Sequence, residues 1–258
     1  MKLGRALLAC DSNEAYLKFW KLAHDSWTEI IGIKCTLILV AHEMPDWLPY
    51  KEDVILFKPI EGIHTAFQAQ CIRLLWPCLI DRDEAIIPSD IDMMALCKSY
   101  FVHTIDGAPD ESFIVYRGLQ HSCKSIWMCY VAAAPATWRE IYDCHSEDDV
   151  RRTLVSWHEK DGYDGVHGGR GWFTDQLMLY EYVYKRWNKR LIVFNDRDLG
   201  FRHLDKIHTN WLSLTDKLKG ELLAGVYHDF CLPPFDSFEK HITTIYDFLV
   251  ENKPKDDI

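Results

Sequence analysis

Four strand-length runs in the first ninety residues are apolar without alternation: residues 5–10 (Arg-Ala-Leu-Leu-Ala-Cys), 35–41 (Cys-Thr-Leu-Ile-Leu-Val-Ala), 53–57 (Asp-Val-Ile-Leu-Phe) and 85–87 (Ala-Ile-Ile). A strand that is apolar on both faces has to be covered on both faces, which is the condition of a parallel sheet with helices above and below. The intervening segments supply those covers. Leu17, Phe19, Trp20, Ala23, Trp27 and Ile30–Ile31 recur at roughly helical spacing through residues 15–31, after the turn Asp11-Ser-Asn-Glu14. Residues 65–76 predict a second helix. The order strand, helix, strand, strand, helix, strand defines an α/β fold with a mostly parallel central sheet flanked by helices. Ligands of such sheets collect at the carboxyl ends of the strands, where Asp11, Asp90 and Asp92 stand.

The second half is less regular. Residues 113–116 and 127–133 read as strands, 135–142 and 174–187 as helices, 190–194 as a strand and 238–250 as a closing helix. Residues 143–171 are polar, with Gly162, Gly165, Gly168, Gly169 and Gly171, which predicts a mobile loop able to act as a lid. Tyr227 to Pro234 reads as a loop. No linker, repeat or low-complexity tract divides the chain, so the expectation is one domain over 1–258.

Composition removes several function classes. A formal charge of −10 argues against nucleic acid as partner, which requires a positive track for phosphates. The apolar runs are too short to span a membrane, and residues 6–10 are too short for a signal-peptide core. Nine cysteines, odd in number and without a C-x-x-C pair, suit reduced buried thiols and point to a cytoplasmic protein. Zinc-site histidine spacing, a Walker loop, a G-x-G-x-x-G turn and a nucleophile triad are all missing from the sequence. Ten Trp, twelve Tyr and twelve Phe supply core volume and stacking surfaces for a base or sugar.

The sharpest chemical signal is Ser89-Asp-Ile-Asp92, immediately after the fourth apolar run. One intervening residue in extended backbone puts alternate side chains on one face. Asp90 and Asp92 can thus converge on a hard divalent cation that bridges the phosphates of a nucleotide. Asp81 and Asp83 also alternate, but precede the strand and read as solvated turn residues. Arg73, on the preceding helix, can face a diphosphate or this acidic cluster.

With Ser89–Asp92, Gly171-Trp-Phe-Thr-Asp-Gln176 and Tyr227-His-Asp-Phe-Cys-Leu-Pro-Pro234, the chain resembles the GT-A-type glycosyltransferases, the nucleotide-diphospho-sugar transferases, and is similar in plan to compact bacterial and large-DNA-virus members. The resemblance implies a GT-A-like domain with a nucleotide-binding half (1–100) and an irregular acceptor-binding half (101–258). It implies Mn²⁺ or Mg²⁺ on the donor diphosphate, held by Asp92 directly and by Asp90 directly or through ribose or water. His228 would complete the metal or diphosphate contacts, Asp175 would serve the transfer step, and Trp172 would wall the sugar pocket. Asp11, Asn13 and Tyr16 stand where this class recognises the base, and Arg202 and His203 are secondary candidates for phosphate or acceptor contacts. The implied reaction moves a sugar from a nucleotide-diphosphate sugar, UDP-linked by class frequency, to a glycan or glycoside hydroxyl. A non-catalytic carbohydrate- or nucleotide-binding protein, a nucleotide-sugar hydrolase and a nucleotidyltransferase remain alternatives. The last is disfavoured by the acidic, glycine-free turn 11–14.

Overall fold

The computed structural model describes residues 1–204, 214–231 and 233–252; the rest of the 1–258 span, including Leu232 of the 227–234 motif, lies outside the described residues. At its centre is a parallel sheet in the order β3-β2-β1-β4, formed by β1 (Leu3–Asp11), β2 (Lys34–Val40), β3 (Val54–Phe57) and β4 (Ala85–Ser89). The alternation of side chains across the strands divides the core in two. Leu7, Ala9, Ile38 and Val40 pack with Phe67, Ile72 and Leu75 of the helix Thr65–Leu75. Leu8, Cys10, Leu37 and Leu39 pack with Trp20 and Trp27 on the opposite face. Both faces are therefore covered, as the continuous apolar runs require.

The chain winds outward from β1 to β3, then returns to place β4 on the other side of β1. The strand order reverses between β1 and β4, and a crevice at such a switch point is the usual ligand site of an open α/β sheet.

The expected helix over 15–31 is broken. Short α-helices Glu14–Leu17 and Trp20–Asp25 lead into a π-helical turn, Ser26–Ile31, closed by Gly32 at a φ of 83°. The wide turn lets the N–H groups of both Gly32 and Ile33 donate to the Trp27 carbonyl.

After β4 come β5 (Met93–Ala95), β6 (Phe113–Val115), β7 (Leu119–Gln120), β8 (Ser125–Ile126), β9 (Val131–Ala132), β10 (Leu191–Val193), β11 (Arg202–Leu204) and β12 (Tyr227–Cys231). They form the sheets β10-β6-β9 and β11-β12-β5 and the hairpin β7-β8. A bridge from Ile86 to Ala133 joins β4 to the segment following β9.

Four expectations are corrected here. Most of the predicted loop 143–171 is a fifteen-residue helix, Glu147–Asp161. Ser146 caps it by accepting from the Asp149 N–H, three acidic residues occupy its first turn, and Val150, Leu154 and Trp157 form its buried stripe. The glycine-rich loop is confined to the residues after Asp161. Likewise Tyr227–Cys231 is a strand, not a loop, parallel to β11 and antiparallel to β5. The predicted strand 127–133 shrinks to Val131–Ala132, and the predicted helix 174–187 is α-helical over Thr174–Leu179 and π-helical over Tyr180–Trp187. Helices Pro135–Tyr142 and Phe235–Glu251 stand where the pattern predicts them.

Candidate active site

A cavity of about 420 Å³ opens at the carboxyl ends of β1 and β4. Asp11 closes β1, Asp90 follows β4 directly, and both line the cavity with Asp92. The helix Thr65–Leu75 brings Arg73, and the helix Thr174–Leu179 brings Asp175 in its first turn. Tyr16 and Trp172 also line it. Three sections of sequence, near residues 11, 90 and 175, thus contribute carboxylates to one space.

Arg73 organises this cluster. Its Nη1 makes a close ion pair with Asp90 Oδ1 and donates to the Ser89 carbonyl at 3.2 Å. Its Nη2 donates to Asp175 Oδ2 at 3.3 Å, and its Nε to the Gln70 carbonyl at 3.1 Å. Burial would discourage the guanidinium charge, but Asp90 and Asp175 outweigh it and raise the Arg73 pKa further.

Two carboxyls in the cavity are poised near neutrality. Burial pushes Asp175 up to about 6, opposed by the Arg73 charge and assisted by Asp90. Burial also pushes Asp92 up to about 6, and the negative charge of Asp90 adds to it. Two carboxylates that repel each other in a cleft are an arrangement that a divalent cation relieves. The oxygen donors suit Mg²⁺ or Mn²⁺, which are commonly held by one or two carboxylates together with substrate phosphates and water. Among the described residues, no group of three or more His, Cys, Asp or Glu side chains is arranged to enclose a metal ion.

Three sequence candidates fall outside the cavity wall: Asn13, His228 and Arg202, the last exposed at the start of β11. Asn13 is exposed, and its side chain caps the helix Glu14–Leu17 by accepting from the Ala15 N–H. Its own N–H donates to Asp11 Oδ1, while Asp11 Oδ2 accepts from the Thr65 hydroxyl at 2.8 Å. His228, placed inward by β12, is fully buried behind the cavity. Its Nε2 lies 3.3 Å from Asp196 Oδ2 and its Nδ1 3.0 Å from Asp229 Oδ1. Both contacts are close enough for ion pairing but off hydrogen-bond alignment. The wall position falls instead to His203 on the neighbouring strand β11. Asp81 and Asp83 are exposed and remote from the cavity lining.

The cavity also contains residues the sequence did not single out. Arg117 follows β6 and Trp127 follows β8; the guanidinium carbon lies 5.5 Å from the indole centroid, a cation–π distance. Cys231, at the end of β12, donates its thiol to Asp92 Oδ2 at 3.3 Å. His167, from the glycine-rich loop, packs on Trp172 with centroids 4.3 Å apart. An arginine at the end of a predicted strand was a visible signal; its convergence with β12 was not, because the pairing of β11, β12 and β5 has no local pattern.

No protein-family model matches the sequence, and no curated protein matches it either. Solved structures do resemble the fold. The glycosyltransferase GlyE of Streptococcus pneumoniae TIGR4 shares 14% identity at a TM-score of 0.50, over 97% of this chain and 63% of that one. Its apo form gives 13% identity and a TM-score of 0.51 over the same shares. The galactosyltransferase LgtC, solved with donor and acceptor sugar analogues, aligns over 98% of both chains at 12% identity and a TM-score of 0.48. The chain has a mixed α/β fold with a GT-A-like core, and spans about 63% of the length of GlyE.

Proposed function

We propose that the chain is a metal-dependent glycosyltransferase that moves a sugar from a nucleoside-diphosphate sugar to a hydroxyl of a glycan or small glycoside. The observation that carries this reading is the meeting of Asp11, Asp90, Asp92, Asp175 and Arg73 in one cavity at the β1/β4 switch point of a GT-A-like sheet. Asp90 and Asp92 would hold Mn²⁺ or Mg²⁺, whose charge, when bound, neutralises the diphosphate of the leaving nucleotide. Asp11 and Tyr16, at the end of β1 and the start of the following helix, are proposed to flank the nucleoside, and Trp172 the sugar.

Asp175 is assigned the transfer step. As a general base it would take the proton of the acceptor hydroxyl, and a carboxyl pushed up to about 6 has the basicity such a role needs near neutral pH. Arg73 keeps Asp175 and Asp90 at a fixed separation and offsets part of their repulsion. The loop after Asp161, carrying His167 and Trp172, is proposed to close over bound donor and exclude water.

The test is release of nucleoside diphosphate from a panel of UDP-, GDP- and CDP-sugars, with Mn²⁺ or Mg²⁺ and a glycan panel. One donor should be turned over in a metal-dependent way. Asp92→Asn should abolish it, and Asp175→Asn should reduce it by roughly 10²–10⁴-fold while nucleotide binding survives. Turnover of no donor by folded protein, or full activity of Asp92→Asn, would overturn the assignment. Equal release with every acceptor and with water alone would reassign the protein as a nucleotide-sugar hydrolase.

A further inference from the structure

A row of ionisable groups, buried at His228 and Asp229, lies behind the cavity, and both of its ends emerge at the wall. From one end, Arg117 Nε faces Asp196 Oδ2 at 3.3 Å. The same oxygen lies 3.3 Å from His228 Nε2, and His228 Nδ1 lies 3.0 Å from Asp229 Oδ1. That carboxylate oxygen also contacts Nδ1 of His203 at 2.6 Å, which ends the row at the cavity. The outer oxygens are held too: Tyr100 donates to Asp196 Oδ1 at 2.6 Å and Tyr130 to Asp229 Oδ2 at 2.7 Å. Tyr100 meets the His228 ring edge-on, 4.3 Å between centroids.

His228 and Asp229 are wholly inaccessible to solvent. Burial alone would raise the Asp229 carboxyl, but the close His228 ring and the hydrogen bond from His203 hold it well below the usual carboxylate range. Stability does not explain such a row, since well-packed apolar side chains in place of buried ion pairs are often neutral or stabilising. What the row does achieve is geometric. It ties together Asp196, β11, β12 and the segment after β6, and fixes Arg117 and His203 on the same cavity that holds Asp90 and Asp92. Arg117 is further held against the Trp127 ring. Nε of Arg117 and Nδ1 of His203 are used within the row and Arg117 Nη1 donates to Cys129 Sγ at 3.7 Å, so Arg117 Nη2 and His203 Nε2 are the nitrogens left for a ligand.

We infer that Asp196, His228 and Asp229 are positioning residues which hold Arg117 and His203 as an N–H wall for the diphosphate group of the nucleotide. This rests on the proposed donor class and adds to it the residues that would orient the phosphates. An anion such as a diphosphate matches because Arg117 faces a single carboxylate, Asp196, whereas Arg73 is already committed to two. Arg117 and His203 line the same cavity as the Asp90–Asp92 pair.

The probe is inorganic pyrophosphate with Mn²⁺, titrated calorimetrically into the full chain, so that nucleobase preference does not enter. Asp229→Asn and Asp196→Asn retain shape but remove a negative charge. If these carboxylates merely contribute to the field, removing one strengthens anion binding. If they position the wall, pyrophosphate affinity falls by about tenfold while Mn²⁺ alone binds as before. Arg117→Met should lose at least as much affinity as either, and Tyr130→Phe, which removes only the phenol contact to Asp229, should move it less but in the same direction. Equal or tighter pyrophosphate binding by both Asn variants, with their melting temperatures close to that of the parent, would overturn the inference. So would failure of the parent protein to bind pyrophosphate. Metal-dependent turnover of a sugar nucleotide lost in Asp92→Asn would in either case leave the donor reading intact.

Discussion

Arg73 bridges two carboxylates in the cavity, and its side chain is nearly inaccessible. Removing Arg73 leaves the buried Asp175 carboxylate without its cation, at a cost of about 3–5 kcal/mol. Arg73→Met should therefore lower the melting temperature sharply in thermal denaturation, and adding Asp175→Asn should recover part of the loss. The two raised carboxyls, Asp92 and Asp175, make a second prediction. An acid whose pKa is higher in the folded than in the unfolded chain favours folding below the unfolded value, and that contribution is lost as pH rises through the folded one. In metal-free protein, Asp92 and Asp175 thus destabilise the fold progressively between about pH 4 and pH 6, and by a constant amount above that window. The melting temperature of Asp92→Asn/Asp175→Asn, relative to the parent, should climb across that window and level off above it; a constant difference would contradict the assignment. Turnover runs the other way, falling as the pH drops below 6 and both groups protonate. At this scale the sequence was informative where residues are adjacent. Asp90 and Asp92 share the cavity, as their place after a strand suggests, although through a turn at Ile91–Asp92 and not the extended backbone expected, whereas the Arg73–Asp175 pair joins residues 102 positions apart and has no signature in the sequence.

Elements were legible where periodicity was strong and misread where composition masked it. The helix Glu147–Asp161 carries a capping serine, an acidic first turn and a buried Val150–Leu154–Trp157 stripe, yet the surrounding polar residues and following glycines gave the whole segment the look of a loop. Ser146→Ala should cost about 1 kcal/mol and lower the melting temperature by about 2–4 °C. Strand β12 was missed for a different reason. His228 and Asp229 read as loop residues because charged side chains rarely sit inside, and only the partners on β11 and the Asp196 segment make their burial tolerable. In the loop after Asp161, Gly171 is the glycine whose added Cβ would run into backbone. Gly171 has a φ of 74°, and an added Cβ would meet Tyr163 Cα at 2.7 Å. Gly171→Ala should displace the neighbouring Trp172, weakening donor binding in a titration with the identified nucleotide more than it lowers the melting temperature.

At the scale of the whole molecule, the continuous apolar strands were enough to define the parallel sheet, and the sheet order determines where its crevice lies. Helices cover both faces, β4 returns beside β1, and the acidic ends of those strands meet Arg73 and Asp175 above them. The irregular half was harder to foresee because its strands are two to five residues long and are paired across large sequence separations. Among the described residues no helix is long and apolar enough to cross a membrane. The most direct measurement is thermal stability of the chain with UDP, GDP, CDP and their sugars, each with and without Mn²⁺. A ligand that binds the folded state raises its apparent stability by mass action, by about 2.7 kcal/mol at a hundred times its dissociation constant. We predict a Mn²⁺-dependent rise with one nucleotide that disappears in Asp92→Ala. No rise with any nucleotide in folded protein, or a rise that survives Asp92→Ala undiminished, would contradict a metal-held diphosphate in this cavity.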